Sequence, residues 1–503
     1  MNLMMLLEMA AASMGEREAL VCEGERWTHA QLFGGAGRAA AKVRAAGVER
    51  VALLDVSSPA VPLALFASAW AGKPFVPLNY RLTGAELDAL IERVKPALLI
   101  TDRERAAQLA GREGVRVMLR EELLAAAREP VPPPDADWSM EPEDVAIWLF
   151  TSGTTGAPKA ALLRHRHLVS YILGSVEFMG ASDEDAALVS VPPYHVAGMA
   201  ALLSSIYAGR RIVQLPAFTP ESWLALAERE HVSNAFVVPT MLARVVEALE
   251  AGGGKAPGRL RALAYGGGKM PLPVIERAMR LFAHIDLTNA YGLTETSSTI
   301  AVLGPADHRD AAASDDPGVR RRLASVGRPL PGVEVEIRDP DGRPLGAGQR
   351  GEICVRGEQV SGEYLGRASR VGADGWFPTN DGGFLDEGGY LFLEGRIDDV
   401  IVRGGENLSP GEIEDVLLEH PAVADAAVVG IPDVEWGEGV AAAIVLKPGA
   451  SATAAEIQEW VKRHLRSSRV PQLVRFEPEL PYNETGKLLR RRVREALAPG
   501  ARS

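Results

Sequence analysis

Short apolar runs of strand type alternate with longer helical patterns along most of the chain, and this alternation is what most limits its possible folds. Residues 51–56 form a β-like run, 62–71 are apolar and alanine-rich as a buried helix is, and 97–100 are strand-like again before the charged segment 102–113. The same alternation recurs around 146–150, 187–191, 211–215, 234–238 and 260–264. Strands that alternate with helices form parallel sheets covered on both faces, so an α/β fold is expected. From 329 onward the pattern changes. Residues 329–338, 351–356 and 390–393 read as short strands between Gly, Pro and Asp turns, with Asp341-Gly342 as a hairpin signal. That predicts a β-rich subdomain over about 325–394. After Gly395 the reading is α+β: helix 410–419, strands 423–429 and 439–446, helix 454–465. A boundary falls near 394–398.

Composition removes several classes of function. A chain of 503 residues with 47% hydrophobic and 24% charged residues can bury a large core without metal or disulfide staples. Lys and Arg number 54 against 66 Asp and Glu, and the net charge of −12 argues against a nucleic-acid partner. The two cysteines, Cys22 and Cys354, are far apart, which excludes a disulfide framework or zinc site and fits a reducing, cytoplasmic setting. Residues 1–12 are apolar but carry Glu8 and no basic flank, so they read as an amphipathic first helix and not a signal peptide. Its methionines suit core packing or a homodimer contact, and the oligomeric state stays open. No apolar run reaches the ~18 residues a membrane span needs.

The densest local signal is Thr151-Ser152-Gly153-Thr154-Thr155-Gly156-Ala157-Pro158-Lys159, placed directly after the apolar run 146–150. Open α/β sheets bind ligands at the C-terminal ends of their strands. Glycines let backbone N–H groups approach a polyphosphate, hydroxyls donate to it, and a lysine supplies charge. The spacing is not that of a Walker A loop.

This string resembles the signature loop of the adenylate-forming, AMP-binding superfamily, which includes acyl-CoA synthetases, luciferases and peptide-synthetase adenylation domains. Further motifs of that superfamily follow in its order: Pro192-Pro193-Tyr194-His195, Tyr265-Gly266-Gly267-Gly268, Asn289-Ala290-Tyr291-Gly292-Leu293-Thr294-Glu295, 376–381, Gly395-Arg396-Ile397-Asp398-Asp399, Arg403-Gly404-Gly405-Glu406-Asn407 and Pro481-Tyr482-Asn483-Glu484-Thr485-Gly486-Lys487. Each short motif is weak by itself, whereas the ordered set is specific. The resemblance implies a large N-terminal domain, 1–397, with two parallel-type sheets plus the β-rich subdomain. It also implies a small mobile α+β C-terminal domain, 398–503, that acts as a lid.

The implied chemistry has two steps. A carboxylate attacks the α-phosphate of ATP to give an acyl-adenylate and pyrophosphate, and a thiol then takes the acyl group and releases AMP. The first step joins two anions, so the site must supply positive charge and oriented donors. By resemblance, Glu295 holds the Mg2+ that accompanies ATP, and Thr294 donates to the α-phosphate. Thr151, Ser152, Gly153, Thr154, Thr155, Gly156 and Lys159 cradle the phosphates. Tyr291 lies along the adenine, Asn289 meets its edge, and Gly266, Gly267, Gly268, Ala290 and Gly292 complete the nucleotide cleft. Asp381 accepts from the ribose diol and Arg396 adds a second contact. Here Asn380 stands where the family usually has Gly, a substitution that left-handed backbone tolerates. Lys487 is the lysine that bridges carboxylate, phosphate and ribose. Asp398 is the hinge, and Arg403, Gly404, Gly405 and Trp436 line the pantetheine tunnel.

His195 is the aromatic gate of the acyl pocket, a positioning residue and not a base. No Ser-His-Asp arrangement is identifiable. Tyr194, Val196, Ala197, Gly198 and Val238 contribute pocket walls, which are apolar, aromatic or glycine. No carboxylate near the gate pairs an ammonium, so an α-amino acid is not expected, and a fatty, alicyclic or aromatic acid fits. Coenzyme A is the expected co-substrate. The family's aromatic-Lys pair near the C-terminus is replaced by Ser468-Arg469 before Val470-Pro471, leaving Arg466, Arg469 and Arg475 to hold phosphates. A stand-alone enzyme that loads a carrier protein is the alternative, followed by a non-catalytic nucleotide binder and a luciferase-like oxygenase.

Overall fold

The computed structural model describes residues 1–151, 159–483 and 488–498. Two large sheets dominate. The first has six strands in the order Val115–Leu119, Ala97–Thr101, Arg50–Leu54, Phe75–Pro77, Val145–Thr151 and Lys159–Arg164. All neighbours in it are parallel except the last pair, an antiparallel hairpin whose ends are Thr151 and Lys159. The second has nine strands, with Ala186–Val189, Asn234–Val237, Ala262–Gly266 and Asp286–Leu293 parallel at its centre. The expected α/β class and two parallel-type sheets are therefore present.

Helices Met4–Met14, His29–Ala46, Ala60–Trp70, His165–Ser175 and Val196–Ala208 pack on one another in a core shared by both sheets. Helix Ala60–Trp70 is apolar all round, and every one of its residues is buried, as a helix between two layers must be. Local signals set the ends of these helices. Thr28 and Gln31 form a reciprocal cap on helix His29–Ala46, and Gly47 stops it in the left-handed conformation. Met4 and Met14 are buried in this core, whereas Met9 on the same helix is exposed.

The β-rich subdomain is a four-stranded antiparallel sheet of Glu334–Arg338, Gly351–Arg356, Phe377–Leu385 and Leu391–Arg396. It departs from the sequence reading in two ways. The run expected at 329–338 divides at a turn where Gly332 has φ 82°, and Arg328–Pro329 joins the nine-stranded sheet instead. Phe377–Leu385 is a full strand although Pro378, Asn380 and two glycines argue against one. Gly383 is needed there because a Cβ would lie 2.2 Å from the Phe392 carbonyl oxygen. The next residues stack Phe384 on Phe392 across the strands, with ring centroids 4.8 Å apart.

A turn at Ile397–Asp399 leads to the last sheet, which contains Ile401–Arg403, Glu406–Leu408, Val423–Asp433, Gly437–Leu446 and Leu473–Phe476. Helices Pro410–Leu418, Ala454–His464 and Arg490–Leu497 pack on it. Among the described residues no helix is long and apolar enough to cross a membrane. Cys22 and Cys354 are buried and form no disulfide, and burial pushes their thiols up to about 12 and about 11.

Candidate active site

The sheet register brings the motif segments together. Gly266 stands opposite Ala290 at the C-terminal ends of two parallel strands, and a Cβ on Gly266 would lie 2.1 Å from the Ala290 carbonyl oxygen. The strand Asp286–Leu293 runs directly into a single 3-10 turn, Thr294–Thr296. That turn is closed by Ser297 and Ser298, both at positive φ (57° and 121°), and Gly292 is required because a Cβ would meet the Ser298 carbonyl. Two non-glycine residues in this region are a costly arrangement, held here by several bonds. Gln359 donates to the carbonyls of Thr296 at 2.9 Å and Thr299 at 2.8 Å, and the Thr296 hydroxyl donates to Ser298 O at 2.8 Å.

Glu295 is buried in this turn, and its carboxylate Oε1 accepts from the Tyr364 hydroxyl. Burial, then the Glu295 charge, pushes the Tyr364 phenol well above its ordinary value, so it stays a donor. The segment carrying Tyr364 is stitched to the hairpin strand Lys159–Arg164. Leu365 N donates to Ala160 O at 2.9 Å, and Leu162 N donates to Glu363 O at 3.0 Å. Lys159 Nζ lies 5.9 Å from the Tyr364 ring centre, and the Thr151 hydroxyl reaches Lys159 O at 3.4 Å. Ser152, Gly153, Thr154, Thr155 and Gly156, which complete the phosphate loop, lie outside the described residues, as does Lys487.

A second cluster centres on Asp381. Tyr291 Oη donates to Oδ2 at 2.7 Å, and Arg396 donates to Oδ1 at 2.9 Å and to Thr379 O at 3.1 Å. The carboxylate is thereby fixed, and its remaining lone pairs stay available to a diol. Arg396 feels the charges of both Asp381 and Glu295, which places the two carboxylates in one electrostatic neighbourhood. Asn380 takes φ 63°, the left-handed turn expected of it. Asn289 is buried and donates to Ser325 O at 3.1 Å, so part of its amide is already engaged in holding the strand.

The apolar wall follows. His195 caps helix Val196–Ala208, with Tyr194 against it at 4.7 Å and Tyr80 against Tyr194 at 5.5 Å. Part of the His195 ring reaches the surface, yet the protein packed around it pushes its pKa down to about 4, with Arg81 adding to the shift. A neutral ring suits a gate better than a base. Gly198 is bare because a Cβ would lie 2.6 Å from Pro192 O. Gly267 and Gly268 are exposed beside Val238 and Pro239. Val196 and Ala197 are half-buried, and Val238 is buried.

Arg403, Gly404 and Trp436 also meet, on the C-terminal sheet. Gly404 N donates to Trp436 O at 2.8 Å, the half-exposed indole lies against Gly404, and Arg403 stands 5.6 Å from the ring centre while donating to Ser468 O at 2.6 Å. Gly405 is exposed next to them. Arg403 also lines an open groove of about 440 Å³ with Gln458, Lys462 and Ser467. The expectation that Arg469 holds phosphates is corrected. Its guanidinium is buried and committed to Glu406 at 2.8 Å and Glu412 at 2.7 Å. Arg475 likewise donates to the Ala496 carbonyl. The N-terminal part and the C-terminal sheet are joined by Lys269, which donates to Asp415 at 2.7 Å and to Gly411 O at 3.2 Å, and by Asn380 on Asp398.

Sequence reasoning missed Tyr364, Gln359 and Lys269. None belongs to a motif with chemical content, and their roles depend on contacts distant in the chain. Among the described residues no group of three or more His, Cys, Asp or Glu side chains could hold a metal by itself. A buried single carboxylate with one oxygen held does fit a magnesium ion whose other ligands are phosphate oxygens and water.

Comparison with known proteins shows the family. The model of the AMP-binding enzyme family matches residues 7–365, and that of the AMP-binding enzyme C-terminal domain matches 412–487. The chain is 32% identical over 491 residues to the fatty acid–[acyl-carrier-protein] ligase ScoC of Streptomyces coeruleorubidus, covering 95% of this chain and 93% of the relative. It is 33% identical over 480 residues to a feruloyl-CoA synthase of Amycolatopsis sp, covering 94% of each. The o-succinylbenzoate CoA synthetase MenE of Bacillus subtilis superposes with a TM-score of 0.83 at 30% identity, over 97% of this chain and at least 97% of that one. It has been solved with its acyl-adenylate intermediate, with AMP, and with ATP and magnesium.

Proposed function

The chain belongs to the AMP-binding enzyme family, and from that premise we propose that its cleft performs acid–thiol ligation. It is an AMP-forming carboxylic acid–CoA ligase. The acid carboxylate attacks the α-phosphorus of ATP, the bond to the β-phosphate oxygen breaks, and pyrophosphate leaves. The thiolate of coenzyme A then attacks the acyl carbon, and AMP leaves with the bonding electron pair. ATP, magnesium and coenzyme A are the small molecules this reaction requires.

The observation that carries the reading is the convergence of Tyr364-held Glu295 with the Tyr291–Asp381–Arg396 cluster. In this proposal Asp381 accepts from the ribose hydroxyls, Arg396 and Tyr291 keep it oriented, and Thr294, Thr151 and Lys159 face the phosphates. Glu295 would hold the magnesium ion, which would supply charge neutralisation at the phosphates. Asn289, Ala290, Gly292 and residues 266–268 enclose the nucleotide, and Lys487 bridges the reacting anions. The proposal also includes the division into 1–397 and 398–503, the hinge at Asp398, and a thiol path along Arg403, Gly404, Gly405 and Trp436.

The acid is an apolar one. Gly267, Gly268, Val238, Tyr194, Val196, Ala197, Gly198 and neutral His195 present no fixed charge to its body. Relatives that act on fatty and on hydroxycinnamic acids support this class. A cytoplasmic location accords with two unpaired cysteines.

A carrier protein is a second reading for the acceptor. The engagement of Arg469 by Glu406 and Glu412 favours it, because that cation is not available to coenzyme A phosphates. The test is pyrophosphate release with Mg2+ and ATP over a panel of fatty, alicyclic and aromatic acids, with coenzyme A, a phosphopantetheinylated carrier protein or neither. Thioester formed with coenzyme A supports the ligase. Thioester formed only on the carrier replaces it with the second reading. No pyrophosphate with any acid overturns both.

A further inference from the structure

We propose that Tyr364 is a positioning residue for adenylation, whose hydroxyl orients the Glu295 carboxylate for the metal that accompanies ATP. The proposal rests on the reading of Glu295 given above. Three observations carry it. First, the hydroxyl donates to Oε1, and among the described residues no hydrogen bond reaches the other oxygen, which this proposal assigns to the metal. A buried carboxylate without that bond can rotate about its last torsion, which is broad and roughly two-fold.

Second, Tyr364 is itself fixed. It is buried, it bridges to Ala161 across the strands, and the backbone N–H groups of Leu365 and Leu162 lock its segment to the hairpin strand. Ser361 N closes the other side by donating to the Glu295 carbonyl at 2.7 Å, so the Tyr364 segment grips both the backbone and the side chain of Glu295. Third, the face of the ring is directed at Lys159 Nζ, 5.9 Å from its centre, and Arg370 lies near the hydroxyl. One side chain thus spans the two segments assigned to the phosphates and their metal, and the cation–π contact holds the lysine near the same point.

The binding arm of the test needs no knowledge of the acid, and the turnover arm uses an acid found active in the panel above. Mn2+ binding to the full chain saturated with a non-hydrolysable ATP analogue is titrated by EPR for the parent, Tyr364→Phe and Glu295→Gln. The phenylalanine variant keeps the ring and loses only the donor. The expected result is a loss of Mn2+ affinity of about tenfold, as for a hydrogen bond to a charged group. A larger loss is expected for Glu295→Gln, and the thermal midpoint of Tyr364→Phe should stay within a few degrees. In turnover, half-saturation by Mg2+ rises while kcat at saturating Mg2+ and the KM for the acid hold within twofold. Unchanged Mn2+ affinity in Tyr364→Phe, with a loss in Glu295→Gln, overturns the role of Tyr364 alone. Unchanged affinity in both overturns the assignment of Glu295 and this proposal with it. A parallel fall in thermal midpoint and in every kinetic constant assigns Tyr364 to packing and also overturns the proposal.

Discussion

The side-chain amide of Asn380 donates to the carboxylate of Asp398 at 2.6 Å. Asn380 precedes Asp381, which is proposed to hold the ribose, and Asp398 occupies the turn between the β-rich sheet and the C-terminal sheet. The asparagine that replaces the usual glycine therefore does more than adopt φ 63°. It ties the nucleotide side of the cleft to the proposed hinge.

Replacing Asn380 by glycine keeps the left-handed turn and removes the tie. A single hydrogen bond of this kind contributes ~1 kcal/mol, so the ratio of the two half-reaction rates should change by about three- to tenfold. Single-turnover measurement of adenylation and of thioester formation checks this. A ratio within experimental error of the parent would show that the bond does not bear on domain movement.

Asp398→Pro fixes φ within the turn Ile397–Asp399. Thioester formation should slow more than adenylation, because in the proposed hinge reading only the second step follows a domain movement. Equal effects on both steps, or no effect, would remove Asp398 from the hinge.

Lys487→Ala should lower adenylation by a factor on the order of 10² or more while sparing thioester formation from a supplied acyl-adenylate. Here the comparison of half-reactions decides. Equal losses would mean that Lys487 serves structure or thioester formation as much as adenylation.

In the proposed pocket the glycines set the room. Gly268 has an ordinary backbone, and a Cβ there would lie 3.5 Å from Pro239 Cγ, in normal contact. Gly268→Val should raise the KM for a bulky acid about tenfold and leave a short acid nearly unaffected. Uniform loss across acid lengths would place Gly268 outside the acyl pocket.

Three buried histidines and the partly buried His195 predict the acid limit of the fold. Burial pushes His29, His165 and His195 down to about 4 and His167 to about 3, from an ordinary 6.5. The unfolded chain then binds more protons than the folded one between those values. Stability is full above about pH 6.5 and falls as pH drops toward 4, by up to ~1.4 kcal/mol per pH unit for each ring. Both ring nitrogens of His29 lack hydrogen-bond partners among the described residues. Thermal midpoints recorded between pH 7.5 and 4.5 should decline steeply, and His29→Leu should flatten the decline by one proton. An unchanged slope in that variant would refute the assignment for His29.

The fold was legible where apolar period and turn chemistry agree. Residues 97–100 appear as Ala97–Thr101, 410–419 as Pro410–Leu418, and 454–465 as Ala454–His464. It was not legible at Phe377–Leu385, where Gly383 exists to admit the backbone of the neighbouring strand, a requirement that no local pattern announces. The site divides in the same way. Glu295, Asp381 and Arg396 stand in strings whose order marks them, and the contacts of Asp381 with Tyr291 and Arg396 follow from the sheets they end. Tyr364 carries no such mark, since its partner Glu295 is distant in the chain and only tertiary packing joins them. The availability of Arg469 was misjudged for a related reason. A surface cation in the sequence is free until its neighbours are known, and Glu406 and Glu412 are those neighbours.

Lys269 follows directly on the three glycines proposed to border the acyl pocket, and its ammonium holds Asp415 and the Gly411 carbonyl on helix Pro410–Leu418. Pocket wall and C-terminal helix thus share a joint. Coupling through a joint is reciprocal: whatever free energy an acid expends in displacing 266–268 is felt by the helix, and the position of the helix returns the same factor to the affinity for the acid. If the proposed pocket and hinge hold, an acid of the wrong girth is penalised twice, once in the pocket and again in the readiness of the C-terminal part to move, so that size selection becomes a matter of timing as well as of fit.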